Sequence, residues 1–145
     1  VLFGDKISMR LEENFTLDEF NCRDGSEIPE ELIPNVKLLA ENLQVLRNYV
    51  NRPIHIISGY RTPEYNKKIS GARESQHMLA KAVDIKVEGM EPWIVHKIIE
   101  HLISEGHMMK GGLALYKTFV HYDIRGRNAR WTGEGIKDDK PLTRY

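Results

Sequence analysis

SQHMLAKAVDIKV (75–87) is the stretch on which the reading of this 145-residue chain turns. Its second half, AVDIKV (82–87), alternates and predicts a β-strand. Val83 and Ile85 then point to one face of a sheet and Asp84 to the other. A carboxylate on a buried sheet face needs a partner. His77 stands seven positions earlier, with mostly small or apolar residues between. Seven positions rise about 10.5 Å on a straight helix and about 23 Å on a straight strand. Neither geometry brings imidazole and carboxylate together. The chain must fold back between them, and Ala80 and Ala82 are small enough to allow close packing at that bend.

A third residue comes from FVHYDIRG (119–126). In a strand, His121 and Asp123 share one face, and Val120, Tyr122 and Ile124 take the other. His77, Asp84 and His121 would make a His₂–carboxylate set with one position left for water, the layout of catalytic rather than structural zinc. Spacing alone does not select this trio, because six histidines allow many. The ordinary reading of a strand histidine is a satisfied core or surface residue, and that of a neighbouring carboxylate is a structural hydrogen bond. His96, His101 and His107, in or after one helical segment, read as surface or packing residues, and His55 as structural. Cys22 reads as a small buried hydrophobe.

Working outward, the remaining pattern mixes helices and strands. FTLDEF (15–20) places Thr16 and Glu19 at capping-box spacing and predicts a short helix. Leu32, Val36, Leu39, Leu43, Leu46 and Val50 form the stripe of a helix over about 30–50, with Pro34 in its first turn. IHIIS (54–58) is a strand. Thr62 and Pro63 cap and open a helix to about Ile69, ended by Gly71. Pro92 to Glu105 is an amphipathic helix stopped by Gly106. GLALYK and FVHYDIR, around 112–125, form a hairpin. Residues 1–14 are expected to be irregular and 132–145 a polar tail. With no repeat and no βαβ rhythm, the expectation is one α+β domain over 1–145, with a central antiparallel sheet flanked by helices and the zinc site on the sheet.

Composition excludes several function classes. With 21 basic and 21 acidic residues the formal net charge is zero, so no global field draws the chain to nucleic acid or anionic lipid. No apolar run is long enough to cross a bilayer. One cysteine rules out an intramolecular disulfide framework and a cysteine-based zinc cluster, so any metal must be held mainly by histidine and carboxylate. No signal-peptide pattern opens the chain, although it begins at Val1 rather than Met, so a leader could have been removed.

SGYRTPEYNKKISGARESQHMLAKAVDI (58–85) followed by GGLALYKTFVHYDIRGRNARW (111–131) resembles the zinc D-Ala-D-Ala carboxypeptidase family, most closely its small single-domain bacterial and phage branch. The shared elements are SGYR (58–61), Asn66, Ser75 and His77 with Asp84 seven residues on, FVHYD (119–123) and ARW (129–131). FTLDEF is also similar, so the resemblance covers about 14–131. It implies a small α+β domain with a central antiparallel sheet and Zn²⁺ on His77, Asp84 and His121. Arg61 would contact substrate, and the activity would be peptidase action on peptidoglycan peptides. A monomer in the periplasm, outside the cell or associated with a phage is the matching expectation. Two positions depart from the pattern. Ala80 stands where the family usually has glycine. Better-known relatives also place a carboxylate three residues before the last ligand or a histidine two before; here those positions are Thr118 and Phe119.

The resemblance distributes roles among the remaining polar residues. Arg61 would stabilise the oxyanion. Ser75 either hydrogen-bonds substrate or caps the turn before His77. Asp123, facing the same way as His121, either takes a proton from the attacking water or holds the tautomer of a ligand histidine. Arg125 and Arg130 either grip a substrate carboxylate or are solvated, the latter being favoured. Trp93 and Trp131 are read as core or rim packing rather than a sugar platform. Without an upstream base, a non-catalytic cell-wall or phage structural module is the alternative; a third reading is an amidase-like hydrolase of another small peptide.

Overall fold

Period-two alternation builds the sheet and period-3.6 stripes build the helices that cover it. The structure is a computed structural model, and it describes residues 8–136. The order is β1 (Arg10–Glu12), β2 (Phe15–Thr16), α1 (Ile33–Val50), β3 (Ile54–Ser58), α2 (Pro63–Lys68), β4 (Ala82–Val87), α3 (Pro92–Ser104), β5 (Gly112–Leu115), β6 (Val120–Asp123) and β7 (Ala129–Thr132). Short 3₁₀ turns lie at Leu17–Phe20, Glu30–Leu32 and Gln76–Leu79. No helix among the described residues is long and apolar enough to cross a membrane.

The fold is α+β, as the mixture of helices and strands without a βαβ rhythm predicts. The main sheet runs β3-β4-β6-β5-β7. Its first four strands pair antiparallel, but β7 lies parallel to β5, so the sheet is mixed rather than wholly antiparallel. The reason is the short link 124–128. It carries the chain past the start of β5 to the far edge, where Ala129 N–H donates to Gly111 O and Gly133 N–H to Leu115 O. ARWT is only four residues long and half-buried throughout, so it offers no alternation to read. Residues 10–12, expected to be irregular, pair with β2 as a second small sheet. The expected tail loses Thr132 to β7, and 137–145 lie outside the described residues.

The helical expectations hold closely. Val36, Leu39, Leu43 and Leu46 of α1 are buried, Pro34 sits in its first turn, and Asn51 closes it in the left-handed region with its N–H on Arg47 O. Thr62 Oγ1 accepts from Tyr65 N–H, and Pro63 opens α2. Glu19 Oε1 accepts the Thr16 N–H at 2.7 Å ahead of the 3₁₀ turn. Val83, Ile85, Val87, Val120, Tyr122, Leu113 and Leu115 join the α1 and α3 stripes in one core cluster. Asn42 of α1 bridges the layers, accepting from Met109 N–H at 2.7 Å and from the Tyr122 hydroxyl at 3.4 Å. Cys22 is buried, as expected of a small hydrophobe, whereas Trp93 is exposed on α3. His55 is exposed on the edge strand β3, near Glu88.

His96 is the one of the three helix-region histidines that is buried; its Nδ1 has no partner among the described residues. Burial disfavours its charged form and lowers its pKa to about 4 from 6.5, against the opposing pull of Glu100 and with help from Arg130. The unfolded chain therefore binds a proton that the native chain refuses between those values. This contribution to stability is complete above pH 6.5 and declines as pH falls toward 4. Denaturant melts across that window should show His96→Leu losing less stability than wild type, by on the order of 3 kcal/mol at the acid end. Equal losses in both proteins would remove His96 as the cause.

Candidate metal centre and active site

One row of residues crosses the main sheet on the face opposite the core. Ser58 pairs with Asp84, Asp84 with His121, His121 with Ala114, and Ala114 with Trp131. Directly paired residues point to the same side. Asp84 and His121 are thus cross-strand neighbours, and the shared face expected of them is present. Ala114 leaves room for Trp131 to lean over its small side chain, bringing the indole within 5.0 Å of the His121 ring, centroid to centroid.

His77 arrives from outside the sheet by the expected fold-back. The 3₁₀ turn Gln76–Leu79 carries it, Ser75 Oγ caps that turn by accepting from His77 N–H at 3.1 Å, and Ala80 ends it at φ +58°. That is left-handed backbone, which suits the glycine that the resemblance leads one to expect there. The return into β4 is tied by Ala80 N–H to His77 O and Lys81 N–H to Gln76 O. His77 Nε2 then lies 3.3 Å from Asp84 Oδ1, and His121 Nδ1 lies 3.2 Å from the same oxygen. One donor atom from each of His77, Asp84 and His121 falls within 4.8 Å of the others, and all three residues are buried.

The outer nitrogen of each imidazole is already engaged. His77 Nδ1 is 2.7 Å from the carbonyl of Gly59, and His121 Nε2 is 2.7 Å from Asp123 Oδ2. If each outer nitrogen carries the proton, Nε2 of His77 and Nδ1 of His121 are left as lone pairs facing Asp84. Such partners fix tautomer and ring orientation in metal sites. Gly59 must be glycine, since a Cβ there would lie 2.7 Å from Phe20 O. This is where FTLDEF meets SGYR: Tyr60 N–H donates to Phe20 O, and Arg23 reaches from Glu19 O to Ile57 O.

Asp123 has no exposure. Oδ1 accepts from Gly112 N–H, Arg125 N–H and Arg125 Nε–H, and Oδ2 from Arg125 Nη2–H beside its contact with His121. A Cβ at Gly112 would overlap the carboxylate. Asp123 therefore stands behind His121, on the side away from Asp84. Burial opposes its charge, but the hydrogen bonds from His121, Arg125 and Gly112 hold its pKa well below the usual carboxylate range. Asp84 follows the same balance, with burial outweighed by His121 and His77. Burial also works against charging His121, yet its two carboxylate neighbours raise its pKa.

Arg61 has every guanidinium nitrogen engaged: Nε on Ser58 Oγ at 3.3 Å, Nη1 on Asn66 Oδ1 at 3.1 Å and Nη2 on Asp84 Oδ2 at 3.4 Å. Asn66, buried, also donates to Ala72 O. This part for Asn66 was not legible in the sequence, although the residue belongs to the quoted motif. Of the two later arginines, Arg130 is not solvated. It holds Glu100 of α3 through Nε at 2.6 Å and Nη2 at 2.9 Å. Arg125 lines a cavity of about 520 Å³ with Arg61, Ser75, His77, Asp84 and His121. Trp131 lines the same cavity, with Nε1–H on the Tyr116 hydroxyl at 2.9 Å. Glu74, which sequence reasoning passed over, lines it too.

Two nitrogens and a carboxylate oxygen converging at a cavity suit a divalent metal of the zinc class, and their outer partners meet the same requirement. The sequence model of the peptidase M15 family matches residues 13–123, well over half of the chain. The chain belongs to the peptidase M15 family. The match takes in all three metal-capable residues together with Arg61, Asn66 and Asp123. A search of curated proteins finds no match to the chain. As an M15 peptidase with a metal-capable His–Asp–His group, the protein should bind zinc in about one equivalent. Alanine at His77, Asp84 or His121 should abolish that stoichiometric binding by elemental analysis and remove activity with it. Full zinc in all three variants would dismiss the group as the metal site.

Proposed function

We propose that this M15 peptidase is a zinc enzyme that hydrolyses peptide bonds of bacterial cell-wall peptidoglycan, as a D-Ala-D-Ala-type carboxypeptidase or a cross-link endopeptidase. The observation that carries the reading is the engagement of both outer imidazole nitrogens, by Gly59 O and by Asp123, which leaves the inner two to converge with Asp84 at a cavity. When bound, zinc lowers the pKa of a water to about 7 and polarises the scissile carbonyl. We read the protein as a monomer. The substrate would place the protein in the periplasm, outside the cell or with a phage.

The side chains divide the remaining work. Arg61, fixed by Ser58, Asn66 and Asp84, brings a permanent cation to the cavity wall, where it stabilises negative charge developing on the carbonyl oxygen. Ser75 Oγ accepts from His77 N–H and keeps its own proton to offer a substrate carbonyl. Asp123 holds the His121 tautomer; its oxygens are already taken by His121, Gly112 and Arg125, so it is a positioning residue rather than the base. Apart from Asp84, Glu74 is the carboxylate lining the cavity among the described residues. It is exposed, and we assign it the proton from the attacking water.

Purified sacculi treated with the zinc-loaded protein should release muropeptides shortened at one type of peptide bond, read by mass spectrometry. Unchanged sacculi would favour a non-catalytic cell-wall module. Two variants separate the carboxylates. Glu74→Gln should keep its zinc and lose about 10²–10⁴-fold in turnover. Asp123→Asn should lose about 10–100-fold in zinc affinity or activity, with part of the rate restored by added zinc. Normal turnover in Glu74→Gln would take the proton transfer away from that residue.

A further inference from the structure

We infer that Arg125 recognises a carboxylate on the peptide substrate and thereby sets which peptides the enzyme accepts. The inference rests on the peptidase reading of the site. Arg125 spends one edge of its guanidinium on Asp123, through Nε at 2.9 Å and Nη2 at 2.8 Å. Its Cζ stands 5.4 Å from the centre of the Trp131 ring, so a face of the cation is covered as well. Nη1 has no hydrogen-bond partner among the described residues, and the side chain is 20% exposed where it lines the cavity. A planar cation held on one edge and one face, lining the cavity with one amino group unpaired among the described residues, is preorganised for a carboxylate.

The two other arginines near the site are held at more of their nitrogens. Arg61 has all three nitrogens engaged, and Arg130 is committed to Glu100, Gly111 and Asn128. Charge points the same way. Arg61 and Arg125 face Asp84 and Glu74 at the cavity, with Asp123 buried behind. A divalent cation on the three ligands leaves this set with a surplus positive charge, which an anionic ligand group neutralises. If Arg125 served only to neutralise Asp123, its loss would weaken all substrates alike. If it reads a carboxylate, the loss is selective.

Two sources of that carboxylate are open in a cell-wall peptide: the free C-terminus of the residue released, or a side carboxylate of an inner residue. The test compares peptide pairs differing by one carboxylate-to-carboxamide change, first at the C-terminus and then at an inner acidic residue. Wild type should favour one of the two acid forms by about 10- to 100-fold in kcat/KM, mostly through KM. Arg125→Gln should bring that ratio close to one, and Arg125→Lys should keep part of it. Preference at the C-terminal carboxylate marks a carboxypeptidase, and preference at the inner one marks a reader of the peptide stem. An unchanged ratio in Arg125→Gln, or no preference in wild type for either pair, would overturn the inference. Calorimetry of the zinc-loaded protein with acetyl-D-alanyl-D-alanine and with its C-terminal amide, and with an acetylated D-glutamyl peptide and its side-chain amide, reads the same discrimination without turnover. Failure of hydrolysis with selective, Arg125-dependent binding would count against the peptidase reading alone. Equal binding of acid and amide in both pairs would count against Arg125.

Discussion

The Asp123 carboxylate is the constraint around which this site is arranged. A buried charge without partners costs several kcal/mol, so each of its oxygens must be satisfied. The chain satisfies them with the His121 ring, the Arg125 fork and the Gly112 amide. Each solution has a structural consequence. His121 is turned so that Nδ1 meets Asp84. Arg125 is drawn to the cavity wall. Residue 112 has to be glycine, and Gly111 beside it is equally confined, since a Cβ there would run into the Asp123 backbone carbonyl. The GG of GGLALYK is thus explained by Asp123 alone, whose backbone carbonyl confines Gly111 and whose carboxylate confines Gly112.

The sheet divides its two faces between stability and chemistry. Val83, Ile85, Val120 and Tyr122 supply the core, while Asp84 and His121, alternating with them on the same strands, carry the donor atoms. A one-residue slip in the β4–β6 register would put the donors into the core and the core residues into the cavity. The apolar alternation that drives folding therefore also fixes the position of two of the three donors. The third donor depends on a loop. His77 is placed by a short 3₁₀ turn, a serine cap and a left-handed alanine, all devices of local backbone conformation.

This division explains what was legible in the sequence. Strand periodicity showed that His121 and Asp123 share a face, and the seven-residue spacing demanded a reversal between His77 and Asp84. Neither could say which face of the imidazole Asp123 would meet. In a strand, residues two apart leave both a water-side and a back-side placement open. The Gly111–Gly112 pair, which admits the carboxylate behind the ring, decides it. The mixed sheet was hidden for another reason. β7 is a four-residue edge strand whose place rests on Arg130 and on backbone bonds to Gly111 and Leu115, not on an apolar pattern. Arg130 looked solvated because its partner, Glu100, lies thirty residues earlier on the buried side of a helix.

That same edge strand joins the core to the cavity. Glu100 and His96 occupy successive turns of α3, and Glu100 receives Arg130 through two nitrogens. The pair anchors β7, and the next residue on β7 is Trp131. Trp131 leans on His121, covers Arg125 and is held at its other end by Tyr116, which itself stacks on Phe119 at 4.5 Å. Gly133 leaves no room for a Cβ beside the Tyr116 ring, so the tyrosine is confined from that side as well. Fixing one end of a short parallel strand with a partly buried ion pair therefore sets the indole that shapes one wall of the cavity. An ion pair between a buried carboxylate and a half-buried guanidinium contributes little net stability once desolvation is counted. Its effect here is positional, because β7 has no other side chain as strongly bound to the body of the protein.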